Sequence, residues 1–341
     1  MKPLIQKLTQ TFSPSGYEKA IREVIRSEVK PLAGDLQVDA LGNLIAHIQP
    51  SGTSRKSLSK KNASVKRIML AAHMDEIGLM ATHIDENGFI RFTGVGGIRP
   101  AALIGSRVRF MDGASGVIGS DRITDVSKAP SLDQCFIDVG ATAKKDCPVK
   151  VGDVCAFERP FLDLGNRLVA KSMDDRIGCA VLIETMRTLK STPHDLYFVF
   201  TTQEEIGTRG ATASAFGVDP DVGLAVDVTG TGDTPKSSKM EVALGNGPAI
   251  KVKDGGMLAD PRVVEWMVRS AGRAKIPCQR EVLEGGTTDA RAIQIARAGV
   301  PAGCLSVPSR YIHSPSEMVD FADVQNSVRL LAALLAAPID L

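Results

Sequence analysis

The sequence is poor in aromatic residues, nearly balanced in charge and free of long apolar runs. Phe, Tyr and Trp make up only 4% of its 341 residues, so the ring surface that sugar-binding sites use is scarce. Lys and Arg number 41 against 39 Asp and Glu, a balance that argues against a dedicated nucleic-acid-binding protein. No segment approaches the roughly 18 uncharged apolar residues of a membrane span, so no membrane association is expected.

The six cysteines show neither a disulfide framework nor a metal-binding pattern. They are scattered between Cys135 and Cys304 with no C-x-x-C pair, which favours reduced thiols. The N-terminal residues lack the apolar core of a secretion signal. We therefore expect a cytoplasmic protein.

Residues 67–72 and the chain after Lys171 show strand and helix patterns. Apolar runs at 67–72, 196–202 and 224–228 predict buried strands. Apolar residues at helical spacing predict helices near 176–190, 259–274, 288–298 and 321–337. This alternation predicts an α/β fold with a mainly parallel sheet flanked by helices.

The segment from 77 to about 164 has a different texture. Short alternating stretches lie between glycines, which is typical of small antiparallel strands joined by turns, and almost no helix is indicated. We therefore predict an α/β domain built from both chain ends, 1–75 and 167–341, with a small β-rich domain inserted at 76–166.

Two local patterns near the N-terminus add detail. Ser15-Gly16-Tyr17-Glu18 has the form of a capping box, so a helix is predicted to begin there. Residues 51–66 contain five basic residues and no acidic one. For this stretch a solvated surface loop is favoured over an anion-binding patch.

Acidic residues and one histidine stand where the predicted strands end or a helix begins. They are His73, Asp75, Asp174, Asp175, Glu204, Glu205 and Asp227. In open α/β sheets, sites form in the crevice outside the carboxyl ends of the strands. Carboxylates gathered there would repel one another unless a cation neutralised them. The sequence therefore predicts a metal centre with more than one divalent ion, and His and carboxylate ligands suit Zn²⁺, Co²⁺ or Mn²⁺.

Each of these residues also has an ordinary interpretation. Asp174 and Asp175 could cap a helix, and a lone His73 is more often a core or surface histidine than a ligand. His313 could cap the turn that precedes Pro315. Taken together, these interpretations leave unexplained why acids repeatedly interrupt apolar strand ends.

Six short segments follow one another in a specific order along the chain. They are AAHMDEIG (71–78), MDDRIG (173–178), TQEEIG (202–207), VD (226–227), GGTTDA (285–290) and SRYIHSP (309–315). This ordered set resembles the M42 metallopeptidases, aminopeptidases of the glutamyl, leucyl and deblocking type, some of which are labelled cellulase or endoglucanase. The resemblance covers nearly the whole chain, and six ordered blocks are far more specific than any one of them.

The resemblance implies two co-catalytic divalent ions, zinc or cobalt, in each subunit. Asp174 would bridge the ions. His73 and Asp227 would complete the ligands of one ion, and Glu205 and His313 those of the other.

The resemblance also implies how a peptide is cleaved. Glu204 would be the general base that takes a proton from water, and Asp75 would orient the imidazole of His73 and raise its basicity. The peptide bond between Asp174 and Asp175 would be cis. The implied activity is removal of the N-terminal residue from short peptides.

For the inserted β-rich segment, the resemblance implies a role in dimerisation. Similar family members assemble as dimers that join into a hollow tetrahedral dodecamer, where sites facing the interior favour short peptides over folded proteins. The resemblance thus predicts self-association, with short peptides as substrates.

Other functions remain open. An endo-glycosidase would also use two carboxylates, but it would need no metal and tends to use aromatic platforms. A carboxypeptidase or amidohydrolase of the related two-metal clan would read a different end of the substrate, and a peptide-binding scaffold would keep only a vestigial site. Arg291 could face the pocket and favour an acidic N-terminal side chain, but a place on a helix surface is favoured.

Overall fold

Two β-structures organise the chain, a large mixed sheet and a small closed barrel. The computed structural model describes residues 1–51, 65–122, 129–339 and 341. Most of the basic stretch 51–66 that was predicted as a solvated loop lies outside the described residues.

The elements alternate along the chain much as the sequence predicts. The strands are β1 (Asp35–Val38), β2 (Leu44–Ile48), β3 (Arg67–His73), β4 (Gly78–Ile84), β5 (Ile90–Val95), β6 (Arg107–Phe110), β7 (Ser115–Ser120), β8 (Cys135–Asp138), β9 (Val154–Phe157), β10 (Leu162–Asp163), β11 (Arg167–Ala170), β12 (Asp195–Thr201), β13 (Val222–Thr229), β14 (Ala249–Lys253), β15 (Gln279–Val282), β16 (Ala302–Arg310) and β17 (Glu317–Asp320). The α-helices are α1 (Lys2–Thr9), α2 (Lys19–Val29), α3 (Met173–Thr188), α4 (Arg209–Val218), α5 (Pro261–Ala274), α6 (Asp289–Gln294) and α7 (Phe321–Leu335).

The large sheet has 11 strands and runs β1-β2-β12-β3-β13-β16-β17-β11-β10, with β14 paired to β16 and β15 to β14. Its centre is parallel, because β12, β3, β13 and β16 all point the same way. Towards both ends the pairing is antiparallel, as between β2 and β12 or β16 and β17. The predicted α/β class is confirmed, and parallel pairing is concentrated at the centre of the sheet.

The central strand β3 shows why helices cover both faces of the sheet. Successive side chains of a strand point to opposite faces. Accordingly, Ile68 and Leu70 join the apolar core that includes α3 and α7, whereas Met69 and Ala71 join the core formed with α4 and α6. A strand buried on both sides reads as a continuous apolar run, which is the pattern at 67–72.

The barrel lies between β3 and β10 in the chain. Its strands close in the order β4-β5-β8-β7-β6-β9 around a separate apolar core. The β-rich insert is thus confirmed as a small barrel, while the boundaries 1–75, 76–166 and 167–341 stay a prediction.

Among the described residues, no helix is long and apolar enough to cross a membrane. All six cysteines are free.

The predicted capping box is wrong. Helix α2 begins at Lys19, and the Ser15 hydroxyl donates a hydrogen bond to Oδ2 of Asp75 at 2.6 Å. Near the start of the helix, the N–H of Ile21 donates instead to Oγ of Ser13 at 3.1 Å. Ser15 has the sequence signature of a cap, but a tertiary contact engages its side chain.

Candidate metal centre

All seven residues predicted for the site lie at one edge of the large sheet. The parallel strands β12, β3, β13 and β16 end there, and the carboxyl ends of parallel strands share one edge. The seven come from the end of β3 and the residues after it, the start of α3, the loop after β12, the end of β13 and the turn between β16 and β17. They are His73, Asp75, Asp174, Glu204, Glu205, Asp227 and His313.

Asp174 lies between the two histidines of the site. Its Oδ1 is 2.9 Å from Nε2 of His73, and its Oδ2 is 3.3 Å from Nε2 of His313. The peptide bond from Asp174 to Asp175 is cis, as the family resemblance implied. Each oxygen of one carboxylate therefore faces a different imidazole, which suits a ligand shared between two cations.

Glu205 stands on the His313 side of Asp174. Its Oε2 lies 3.1 Å from Nε2 of His313. Ligand atoms of His73, Asp174 and Glu205 all lie within 4.8 Å of one another. Glu205 therefore belongs to the same cluster of potential metal ligands as His73 and Asp174.

Asp227 stands on the His73 side. Ligand atoms of His73, Asp175 and Asp227 form a second group, again within 4.8 Å of one another. The oxygens of Asp175, however, accept the N–H groups of His73 and Gly178, at 3.1 Å and 3.0 Å. Asp175 therefore holds backbone in place, and Asp227 is the freer carboxylate of this group.

Asp75 ties the neighbouring residues of the site together. Its Oδ1 accepts the N–H of Glu204 at 3.1 Å, and its Oδ2 accepts the N–H of Glu205 at 3.2 Å as well as the Ser15 hydroxyl. Oδ1 also lies 3.4 Å from Nδ1 of His73. One buried carboxylate thus contacts a histidine and both glutamate amides.

The site holds more negative charge than its histidines can balance. Burial raises the pKa of Glu204 well above its usual range; the nearby His73 opposes this shift and Asp227 adds to it. Burial likewise raises the pKa of Asp227. Burial alone would lower the pKa of His313, but its hydrogen bonds to Asp174 and Glu205 raise it to about 11. A site that retains protons in this way is one that favours added cations.

Two buried polar atoms of the site have no hydrogen-bond partner within the described part of the chain: Oε1 of Glu205 and Nδ1 of His73. Buried polar atoms are normally satisfied, so each exception needs an explanation. A bound metal ion would explain the unpaired oxygen of Glu205. The nitrogen and oxygen ligands around it suit zinc or cobalt. The residues present therefore fit a divalent metal centre.

A cavity of about 910 Å³ opens onto the site. Its lining includes Asp174, Glu204, Glu205, Asp227 and His313. Three cationic residues, Arg99, Lys251 and Arg310, also line it. Arg291, by contrast, is an exposed residue of α6 outside the lining, in agreement with a helix-surface position.

Sequence reasoning missed two buried carboxylates near the site. Glu317 accepts hydrogen bonds from the backbone of two predicted ligands. Asp289 accepts the Thr201 hydroxyl, and burial raises its pKa to about 6. Asp289 lies in the GGTTDA segment and could have been noticed there, whereas Glu317 has no signal beyond its place at the start of a short strand.

Comparison with known proteins identifies the family that the sequence motifs resemble. The family model for M42 glutamyl aminopeptidases matches residues 56–330. A lysyl aminopeptidase of Pyrococcus furiosus is 35% identical over 347 residues, which cover 97% of this chain and 96% of that protein.

Solved structures are similar over almost their whole length. An aminopeptidase of the archaeon Desulfurococcus kamchatkensis has a TM-score of 0.91 at 40% identity, covering 98% of this chain and 94% of that one. The TET1 peptidase of Pyrococcus horikoshii, which can assemble into a tetrahedron or a large octahedral shell, has a TM-score of 0.85 at 33% identity, covering 98% of each chain. This chain belongs to the M42 glutamyl aminopeptidase family.

Proposed function

We propose that the protein removes the N-terminal residue from short peptides with two divalent ions and with Glu204 as general base. Membership of the M42 family makes the chain an aminopeptidase, a hydrolase that acts on peptides. The proposal adds the number of ions, the residues that hold them and the proton carrier. The observation that carries it is the placement of Asp174, whose two oxygens face His73 and His313 separately.

The proposed ligands divide into two sets that share Asp174. His73 and Asp227 would hold one ion, and Glu205 and His313 the other. The contact between Glu205 and His313 and the grouping of His73 with Asp227 support this division. When bound, the ions would supply acidity to a water molecule and polarise the scissile carbonyl.

Glu204 is proposed to move the proton. Its Oε2 lies 3.9 Å from Nε2 of His73, and the residue lines the cavity in which a peptide would bind. Oε2 would take a proton from water and deliver it to the leaving amine, so the same carboxylate acts first as base and then as acid. Asp75 keeps Glu204 in reach of the site by accepting its N–H.

The lining of the cavity carries both negative and positive side chains. Its carboxylates are the proposed ligands Asp174, Glu205 and Asp227 together with Glu204, so bound divalent ions would offset most of their charge. Lys251 and Arg310 are neutralised by ion pairs with Glu281 and Asp233, and Arg99 is exposed. Because Arg99 remains as a cation in the lining, the choice of an aminopeptidase over a carboxypeptidase is supported by membership of the M42 family and by the aminopeptidase relatives.

A glycosidase fits poorly. Tyr311 is the one Phe, Tyr or Trp in the lining of the described cavity. A polysaccharide would find little ring surface to stack on, and a pair of glycosidase carboxylates would have no use for the two histidines. The same histidines, together with Asp227 and Glu204, are features that a vestigial scaffold would have no need to retain.

We propose zinc or cobalt as the metal because nitrogen and carboxylate oxygen ligands suit both. We also propose that the protein self-associates, as a dimer and further as a tetrahedral dodecamer. The assemblies named for the P. horikoshii relative support this. A cytoplasmic location, which the six free cysteines suit, is part of the same proposal.

Hydrolysis of aminoacyl-p-nitroanilides tests the proposal directly. The full-length protein is assayed as isolated, after EDTA treatment, and after Zn²⁺ or Co²⁺ is returned, with bound metal counted by mass spectrometry. We expect activity to vanish with the chelator and to return as two ions bind per chain. Activity that survives complete removal of metal, or hydrolysis of carboxymethylcellulose in place of the anilides, would contradict the proposal.

A further inference from the structure

A buried carboxylate outside the predicted ligand set contacts the backbone of two proposed ligands at once. Glu317, the first residue of β17, is 2% exposed. Its Oε2 accepts the N–H of Asp174 at 2.9 Å, and its Oε1 accepts the N–H of His313 at 2.8 Å. Each oxygen of Glu317 thus binds a residue from a different element, the start of α3 and the turn between β16 and β17.

His313 adopts a backbone conformation that needs such support. Its φ is +62°, in the left-handed region that residues other than glycine rarely occupy. Strained conformations of this kind persist where the surrounding structure fixes them. The hydrogen bond from the His313 N–H to the buried Oε1 of Glu317 supplies a contact of this kind.

We propose that Glu317 is a positioning residue that fixes Asp174 and His313 relative to each other. It thereby sets the site of the second metal ion, the one that Glu205 and His313 are proposed to hold. This inference rests on the proposed two-ion function. Two N–H groups point at Glu317, so two acceptor oxygens are required. A carboxylate supplies both, whereas an amide supplies one and turns N–H donors towards the other group.

The test compares Glu317→Gln with Asp323→Asn in the full chain. Asp323 is a matched control, because it is also buried and accepts two backbone N–H groups, those of Gly245 and Gly247, both at 2.7 Å, without contacting a proposed ligand. Zn²⁺ affinity is measured by competition with a chelator, bound metal by mass spectrometry, and Tm with and without Zn²⁺.

We expect Glu317→Gln to bind the second Zn²⁺ about 10–100-fold more weakly and to lose most of the rise in Tm that Zn²⁺ produces. Asp323→Asn is expected to lower the Tm of the metal-free protein while its Zn²⁺ affinity stays as in the wild type. Glu317→Asp, which keeps two acceptor oxygens, is expected to retain more affinity than Glu317→Gln and remains measurable if the latter does not fold.

Three results would contradict the inference, and they can be told apart. If the wild type binds two ions and Glu317→Gln binds both with unchanged affinity, Glu317 does not position the ligands. If the wild type itself binds fewer than two ions, the proposed two-ion function fails and this inference fails with it. Equal loss of affinity in the Asp and Gln variants would also contradict the requirement for two acceptors.

Discussion

Glu204 and Glu205 are consecutive residues whose carboxylates have different neighbours. Oε2 of Glu205 lies 3.1 Å from Nε2 of His313, whereas Oε2 of Glu204 lies 3.9 Å from Nε2 of His73. Both backbone N–H groups donate to Asp75, so one anchor holds the pair. The arrangement gives one glutamate the surroundings of a metal ligand and leaves the other free to carry a proton.

We predict that Glu204→Gln separates catalysis from metal binding. The amide cannot accept the proton of a water molecule, so kcat should fall by about 10²–10⁴-fold. Metal content should stay at the wild-type value. Steady-state kinetics and metal analysis on the same preparation check this. Glu205→Gln is the matched control and should instead lose metal. Near-normal kcat in Glu204→Gln would remove Glu204 from the role of base.

Replacing Asp75 by Asn should weaken the site although the shape of the side chain is kept. The Asn carbonyl can accept one of the two glutamate N–H groups, but its NH₂ group would face the other. We expect metal affinity to fall about 10–100-fold. Ser15→Ala, which removes one hydrogen bond to Asp75 and leaves its charge, should have a smaller effect. Chelator competition measures both, and equal affinity in Asp75→Asn and the wild type would contradict this role.

The gathering of the site residues at one edge of the sheet could be predicted from the strand pattern, whereas their roles as metal ligands came from the family resemblance and stay a proposal. His73 ends an apolar run and Asp227 interrupts one, and the carboxyl ends of parallel strands meet at one edge. Glu317 could not be predicted, because its role depends on backbone N–H groups of the distant Asp174 and of His313, and hydrogen-bond partners of this kind leave no mark in sequence.

A local sequence pattern gave a wrong prediction where a tertiary contact engages the side chain. Ser15 has the form of a helix cap, but its hydroxyl binds Asp75. The antiparallel ends of the sheet were not foreseen, because apolar runs show burial but do not show strand direction. Pairing of β2 with β12 or of β17 with β16 depends on how the connections cross the sheet.

Removing the charge of Glu76 should destabilise the fold. Oε2 of Glu76 lies 2.5 Å from Nζ of Lys171, and both side chains are 2% exposed. Glu76→Gln would leave a buried ammonium without its counter-charge, a change that typically costs about 3–5 kcal/mol. Urea unfolding of the metal-free protein measures the loss. Asp163→Asn, which removes the exposed partner of Lys2, is the control and should leave stability unchanged. Equal stability of Glu76→Gln and the wild type would contradict the prediction.

His194 should make stability fall in mildly acidic solution. It is 2% exposed, its Nε2 lies 3.0 Å from the carbonyl oxygen of Ala337, and burial lowers its pKa. The unfolded chain therefore takes up the proton more readily than the folded chain. The stability that His194 contributes is complete above the unfolded pKa of about 6.5 and is lost as pH falls below it.

The matched variant for His194 is His194→Gln, which can still donate to Ala337 but does not titrate. Tm is followed from about pH 8 to pH 5 in EDTA, so that the other titrating groups contribute to both proteins alike. We expect the wild type to lose more Tm than the variant over this range. Parallel curves for the two proteins would show that His194 is not responsible.

A methyl group at Gly97 should disturb the metal site, whereas one at Gly285 should not. Both glycines line the cavity. A Cβ at Gly97 would lie 2.5 Å from Nδ1 and 2.7 Å from Cε1 of His313, so the imidazole would have to shift from the position in which it contacts Glu205 and Asp174. A Cβ at Gly285 would meet nothing within 4 Å.

Because a proposed ligand is displaced, Gly97→Ala should bind less metal and have a lower kcat, with the metal-free Tm close to that of the wild type. Gly285→Ala controls for narrowing of the cavity and should match the wild type in metal content and kcat. If the two alanine variants bind the same amount of metal, His313 either tolerates the displacement or is not a ligand, and His313→Ala would then decide between these, since it loses metal only if the imidazole is a ligand.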